Sequence, residues 1–297
     1  EFQIARKNCG CSYQDYYKFK LYDKSPDIQR EFLTLEISEK LAQKYNKDPE
    51  KLKILRRKDL FAKEFSDLFN RKWFLNRNLS FDEFVEKTRD VDSLICKPIA
   101  ATQGKGVKKI YCSDDISEQK SIYEDLISDR KKLICEECII QHPEIAAFNP
   151  TSVNTIRVLT IVDKGSCHHI YAGFRMGRGK IVDNFHAGGI IATIDVKTGI
   201  TCTDAVDLDG KHYSFHPISE LPISGFQIPH WDRVLKVTEE AALRLEGVEL
   251  VGWDIAVTET GICLIEGNSQ ASYAIIQLPY ADAGIGMRST FQQFLEN

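Results

Sequence analysis

Apolar positions change their period once along the chain. Up to about residue 90 they recur at helical spacing among Lys, Glu and Asp, as in Ile28, Phe32, Leu33, Leu35, Ile37 and Leu41. Residues 55–65 open a further amphipathic helix, and Ser80 with Glu83 three residues on reads as a capped helix start. From Ser93 onward the apolar runs are short and read as strands over 94–99, 109–112, 133–140, 154–162, 170–174 and 190–196, with one helix over 117–131. Residues 197–230 are irregular, with turn signals at 197–199 and 209–210, and an amphipathic helix follows over 231–245. The last two apolar runs, 255–257 and 262–265, flank Thr258-Glu259-Thr260-Gly261 and predict a β-hairpin. No Pro/Gly-rich break or internal repeat divides the chain, so any domain boundary is a change of element type.

Several of these elements carry chemistry. Asp254 sits at the entry of the hairpin, while Glu266 and Asn268 close it two residues apart and share a face. Three hard oxygen donors at one end of a ribbon suit a magnesium ion that keeps waters and shares phosphate oxygens, although taken alone they read equally well as unrelated polar strand ends. Residues 102–107, Thr102-Gln103-Gly104-Lys105-Gly106-Val107, form a glycine-rich loop between two strands, with Lys97 on the first. Such a loop brings backbone N–H groups close to phosphates. It is not a Walker motif, and by itself it is an ordinary turn. Arg157 and Arg175 lie in or at the end of apolar strands, where a guanidinium needs a partner: a carboxylate such as Glu144 or Asp183, or a bound anion. Asn184, His186 and the glycine pair 188–189 share one loop, which offers uncharged donors and close backbone approach. His186 alone reads as a structural or surface histidine.

Composition narrows the setting. A formal net charge of −4 over 297 residues gives no electrostatic footprint for nucleic acid or an anionic membrane. No apolar run reaches membrane-spanning length and no signal-peptide pattern opens the chain, which predicts a cytoplasmic protein without membrane insertion. The chain begins at Glu1 and not at methionine, so its first residues carry little weight. Nine scattered cysteines predict reduced thiols; Cys135 and Cys138 fall on a strand where positions three apart face opposite sides, which argues against zinc or redox use.

In their order along the chain these motifs resemble the ATP-grasp superfamily. The closer resemblance is to its sugar-transfer-associated branch, found with polysaccharide biosynthesis; it runs from about Lys58 to the C-terminus and is carried by residues 152–157 (Ser-Val-Asn-Thr-Ile-Arg), 182–189 (Val-Asp-Asn-Phe-His-Ala-Gly-Gly) and 252–254 (Gly-Trp-Asp). The resemblance implies an α+β fold whose two lobes hold ATP between them, behind a helical N-terminal extension: 1–90 helical, 91–150 the small lobe with the glycine-rich loop, 151–297 the large lobe with the magnesium site. By family pattern Lys97 and Lys58 reach the α- and β-phosphates, and residues 102–107 close over the triphosphate. Glu136, Glu137, Cys138 and Ile139 form the hinge that meets adenine, largely through backbone. Glu144 meets the ribose hydroxyls, with His142 as competitor. Asp254, Glu266 and Asn268 hold Mg2+.

The implied activity is that of a carboxylate–amine ligase working through an acylphosphate, with Arg175, Arg157, Asn184 and His186 around the transferring group. The implied partners are a small-molecule or sugar-linked carboxylate and an amine, together with other domains or enzymes of a polysaccharide pathway. A kinase acting on a hydroxyl, or a nucleotide-binding module without catalysis, are the alternatives. Two departures bear on the acceptor. Residues 269–273 read Ser-Gln-Ala-Ser-Tyr where many relatives carry a Ser-Pro-Gly-like turn, and the helical region ahead of Lys58 is short for the α/β domain that often precedes the grasp.

Overall fold

A computed structural model of the chain describes residues 1–100, 106–179, 188–270 and 273–296. The N-terminal region is helical: α1 (Phe2–Cys9), α2 (Tyr13–Lys18), α3 (Pro26–Glu31), α4 (Leu35–Tyr45), α5 (Pro49–Arg56), α6 (Lys58–Glu64) and α7 (Ser66–Phe69). Side chains mark the starts. Ser12 and Asp15 form a capping box on α2, Ser25 precedes Pro26 on α3, and Asp48 caps α5 ahead of Pro49. The single helix expected from residue 55 is interrupted because Arg57 takes extended backbone (φ −120°, ψ 114°) between α5 and α6.

A four-stranded antiparallel sheet follows, in the order β1-β4-β2-β3, from β1 (Trp73–Leu75), β2 (Ser93–Pro98), β3 (Lys108–Tyr111) and β4 (Leu133–Glu137). Helices α8 (Phe81–Thr88) and α9 (Ile116–Ser128) cover it, burying Phe84 and Leu126 against Phe74, Leu94 and Leu133. Ser80 and Glu83 form the expected capping box. Strand β4 stops at Glu137, short of the expected end, and leaves Cys138 beyond it. The expectation of reduced thiols throughout fails at one place: register sets Cys96 of β2 opposite Cys135 of β4, Cα atoms 4.1 Å apart, and the two are joined as a disulfide. Sequence spacing does not show this, because the pairing is made by two strands 39 residues apart.

The second sheet is antiparallel and seven-stranded, in the order β11-β10-β5-β6-β7-β8-β9. After the short α10 (Pro143–Ala146) it is built from β5 (Thr155–Asp163), β6 (Ser166–Met176), β7 (Ile190–Ile194), β8 (Ala205–Val206), β9 (His212–Tyr213), β10 (Leu250–Val257) and β11 (Ile262–Asn268). Strands β8 and β9 lie in a stretch that the sequence reads as irregular. Lys164 (φ 51°) and Gly165 (φ 80°) make the two-residue turn joining β5 to β6, a conformation that glycine accepts without strain. Helix α11 (Trp231–Arg244) packs on one face, where Val234 and Ala241 join Val158, Phe174 and Trp253. Helix α12 (Tyr273–Ala281) covers β6, β7 and β8 and shares a core with α1 and α2, while α13 (Gln292–Glu296) closes the C-terminal end through Phe294.

Gly267 shows why β11 seats where it does. A Cβ there would come within 2.8 Å of Leu55 on α5 and 2.9 Å of the Trp253 ring, so only glycine lets helix and indole press on that side of the strand. Its neighbours Glu266 and Asn268 therefore project from the other side.

Candidate active site

Register assembles the site as a row across the large sheet. Glu266 pairs with Asp254, Asp254 with Arg157, Arg157 with Gly173, and Gly173 with Thr193, so five strands place these positions side by side on one face. The β10–β11 hairpin needs an irregularity to do this. Ile255 pairs with Leu264 but Asp254 pairs with Glu266, so Ile265 is the extra residue of a β-bulge that brings the two carboxylates opposite each other.

Asp254 is buried and holds both arginines. Arg157 donates to it through Nε (2.5 Å) and Nη2 (2.9 Å), and Arg175 through Nη1 (3.0 Å). Among the described residues this is the carboxylate the arginines reach. Glu144, offered by sequence as a partner, is instead exposed on α10, and Asp183 lies outside the described residues. Burial pushes the Asp254 carboxyl up, but the two guanidiniums outweigh it and hold the group at about 2. Glu266 behaves oppositely. It keeps an open edge toward solvent while its carboxyl is crowded by protein, and that desolvation together with the Asp254 carboxylate raises it above the ordinary range. Asn268 donates from Nδ2 to Glu266 Oε1 at 3.4 Å.

The small sheet brings its own charges to this row. Lys97 Nζ lies 2.8 Å from Glu136 Oε1, on the diagonal of the β2–β4 pair, where Glu136 is opposite Ile95 and Lys97 opposite Ile134, and Arg71 donates to Glu136 Oε2 through Nε (3.0 Å) and Nη2 (2.7 Å). Burial raises the Glu136 carboxyl, and Lys97 and Arg71 overcome that and hold it below its usual value. Lys58 opens α6 and donates its backbone N–H to Ile99 just past β2 (3.1 Å). Its amine is lowered by burial and then by the Lys97 charge, and it also feels Glu266 and Glu136. Lys58, Lys97, Glu136, Glu266, Asp254, Arg157 and Arg175 thus form one electrostatic neighbourhood where the two sheets meet. Arg71 belongs to it and was not legible in the sequence, since it precedes β1 in an unpatterned stretch; it also donates to the Leu264 carbonyl of β11 at 3.0 Å.

Other expected positions are more dispersed. At the end of β4, Glu137 accepts the Lys72 N–H (3.0 Å), and the Cys138 N–H is given to Ser93 (2.9 Å); Ile139 is half-buried beside them. His142 accepts from the Glu144 N–H (3.4 Å) as cap of α10, gives its own N–H to Val257 at the end of β10 (2.8 Å), and meets the His230 ring edge-on at 5.8 Å. Gly106 (φ 75°) and Val107 lead into β3, with Gly106 against Pro98. Thr102, Gln103, Gly104, Lys105, Asn184 and His186 lie outside the described residues.

The donor set fits a hard divalent cation. Two carboxylates forced together, one of them raised in consequence, and an amide beside them are relieved by a small positive ion that accepts oxygen ligands. Facing lysines and arginines suit phosphate oxygens.

The chain belongs to the sugar-transfer-associated ATP-grasp family, whose sequence model matches residues 69–293. Its fold is the ATP-grasp fold. Among solved structures it is similar to the ATP-grasp ligase PsnB complexed with minimal precursor, Mg and ADP (16% identity over 84% of this chain and 62% of that one, TM-score 0.46). It is also similar to D-alanyl-alanine synthetase A from Vibrio cholerae (13%, 83% and 66%, TM-score 0.48) and to D-alanine–D-alanine ligase from Bacillus anthracis (16%, 88% and 74%, TM-score 0.48). The chain spans less than two thirds of the length of the first two of these. No curated protein matches it. Among the described residues no helix is long and apolar enough to cross a membrane.

Proposed function

We propose that this protein is an ATP-dependent carboxylate–amine ligase, acting on a sugar acid or sugar-linked carboxylate in capsular or other polysaccharide assembly. The observation that carries the reading is the cross-sheet row: Glu266 and Asp254 lie beside Arg157 and Arg175, and Glu266 also feels Lys97 of the small sheet and Lys58 at the start of α6, within a chain of this family. The chain is read as a helical region (1–90), a small lobe (91–150) and a large lobe (151–297), with a cytoplasmic setting.

In this reading ATP lies between the sheets. Residues 136–139 meet the adenine, Glu144 or His142 the ribose, and Lys97, Lys58 and the loop 102–107 the phosphates. Asp254, Glu266 and Asn268 hold Mg2+, which when bound screens phosphate charge. A carboxylate oxygen of the substrate attacks the γ-phosphorus, the bond to the β-phosphate oxygen breaks, and ADP leaves with that electron pair. The amine nitrogen then attacks the acyl carbon, phosphate departs with its oxygen, and the amine loses a proton. Arg175 and Arg157, together with Asn184 and His186 in the role the family pattern gives them, neutralise the oxygens that carry charge in both steps. No side chain has to act as a nucleophile; the protein positions and neutralises.

Release of ADP and phosphate, measured with panels of sugar acids and amines, tests this. The ligase requires turnover that depends on both substrates. Phosphate retained on a hydroxyl product without amine identifies a kinase instead, and ATP binding with no turnover for any pair identifies a module without catalysis.

A further inference from the structure

One buried guanidinium joins the two sheets. Past α7 the chain first runs beside the outer strand of the large sheet, where Asn70 donates from Nδ2 to the Ile262 carbonyl (3.4 Å), the Cys263 thiol donates to the Asn70 carbonyl (3.6 Å) and Arg71 Nη1 donates to the Leu264 carbonyl (3.0 Å). It then joins the small sheet: the Lys72 N–H goes to the Glu137 carboxylate (3.0 Å), the Glu137 N–H to the Lys72 carbonyl (2.9 Å), and β1 pairs with β4. Arg71 stands at the passage from one to the other. Besides Leu264 it holds the Phe69 carbonyl through Nη1 (3.0 Å) and Glu136 Oε2 through Nε (3.0 Å) and Nη2 (2.7 Å), with its Cζ 3.3 Å from the Phe69 ring centroid.

Glu136 thus has two cations of unlike freedom. The Arg71 side chain is 3% exposed and tied to the Phe69 and Leu264 carbonyls, whereas Lys97, on the other carboxylate oxygen, is 17% exposed and shares the field of Lys58 and Glu266. Two ammonium groups that repel each other beside a partly open space suit an anion there. Lys97 can turn to that anion only if buried Glu136 is not left without a partner, because an unpaired buried carboxylate is costly. We propose that Arg71 is the positioning residue that meets this condition: it keeps Glu136 ionised and in place while the Lys97 amine binds a phosphate-class anion. A nucleotide as the source of that phosphate rests on the ligase reading; the hold on Glu136 rests on the Arg71 contacts.

R71M, K97M and E136Q, singly and in pairs in the full chain, test this through denaturant unfolding of the free protein and calorimetric affinity for AMP-PNP·Mg2+ and for tripolyphosphate. Without any ligand, R71M/K97M is expected to lower the folding constant about tenfold beyond the product of the two single effects, since only the pair leaves Glu136 alone. R71M is expected to weaken AMP-PNP binding about tenfold or more in the parent background and less than about twofold in the E136Q background, where no buried charge needs holding. A merely structural arginine weakens binding equally in both, because E136Q does not return the ties to Phe69 and Leu264. Independent stability effects of R71M and K97M overturn the proposal, as does equal weakening in both backgrounds or none in either. Should R71M not fold, folding of R71M/E136Q decides instead: recovery supports the hold on Glu136, and failure overturns it. A parent that binds tripolyphosphate and not AMP-PNP removes the ligase reading while the same comparison proceeds with tripolyphosphate; a parent that binds neither overturns the anion role.

Discussion

Lys97 reaches Glu136 on the diagonal between the neighbouring strands β2 and β4, Nζ to carboxylate 2.8 Å, with Arg71 on the second carboxylate oxygen. The glutamate proposed to open the adenine hinge is thus the counter-ion of the lysine proposed to reach the phosphates. Removing Glu136 strips the carboxylate from both cations, whereas removing Lys97 leaves Glu136 on Arg71.

Removing Glu136 leaves two cations facing a buried space without their carboxylate. E136A is expected to lose about 3 kcal/mol or more of stability, as breaking a buried ion pair does. Denaturant unfolding checks this; a loss within about 0.5 kcal/mol, the range of a surface substitution, shows that the pair is not structurally required.

At Asp254 the expectation concerns function more than fold. D254N keeps the shape but removes the charge that two arginines and the proposed cation share, so turnover should fall by about a hundredfold or more. ADP release under saturating magnesium reads it out, with circular dichroism as the control for folding. Turnover at parent level in D254N and in E266Q alike refutes the metal assignment.

Gly173 sits between Arg157 and Thr193 in the cross-sheet row. A Cβ there would fall 2.5 Å from the Tyr171 hydroxyl and 2.8 Å from Ile191. G173A is expected to cost about 1–3 kcal/mol by overpacking and to disturb the arginine beside it. Thermal unfolding and phosphate release measured together check both effects.

A half-buried histidine, His169, and a buried one, His216, set the acid limb of stability. His169 lies against the Leu235 carbonyl (3.1 Å) and His216 against the Gly177 carbonyl (2.9 Å), and burial lowers both below the ordinary 6.5. A histidine whose pKa is lower folded than unfolded stabilises the fold fully above the unfolded value, and that contribution is lost as pH falls through 6.5 toward the folded pKa. Melting temperature should therefore drop as pH falls below about 6.5. H169Q should flatten part of that slope; an identical slope in H169Q and H216Q removes histidine as the cause.

Much of the site's chemistry was written in local pattern. The hairpin turn, its two carboxylates and the strand arginines were visible because strands alternate faces and because charge inside an apolar run needs an explanation, although Asp254 lies within β10 and not at its entry. What local pattern could not show was pairing. That Asp254 and not Glu144 answers both arginines, that Cys96 meets Cys135, and that Arg71 completes the Glu136 cluster all follow from register between strands far apart in sequence.

Ile265 is surplus to the hairpin's pairing, since Leu264 answers Ile255 on one side of it and Glu266 answers Asp254 on the other. Deleting that residue would leave both pairs opposed and restore simple alternation, with Glu266 and Asn268 still on the face away from Leu55 and Trp253. The bulge therefore shapes the bend and twist of the strand end rather than choosing its face, and a shortened strand would carry the same carboxylate pair on a straighter ribbon.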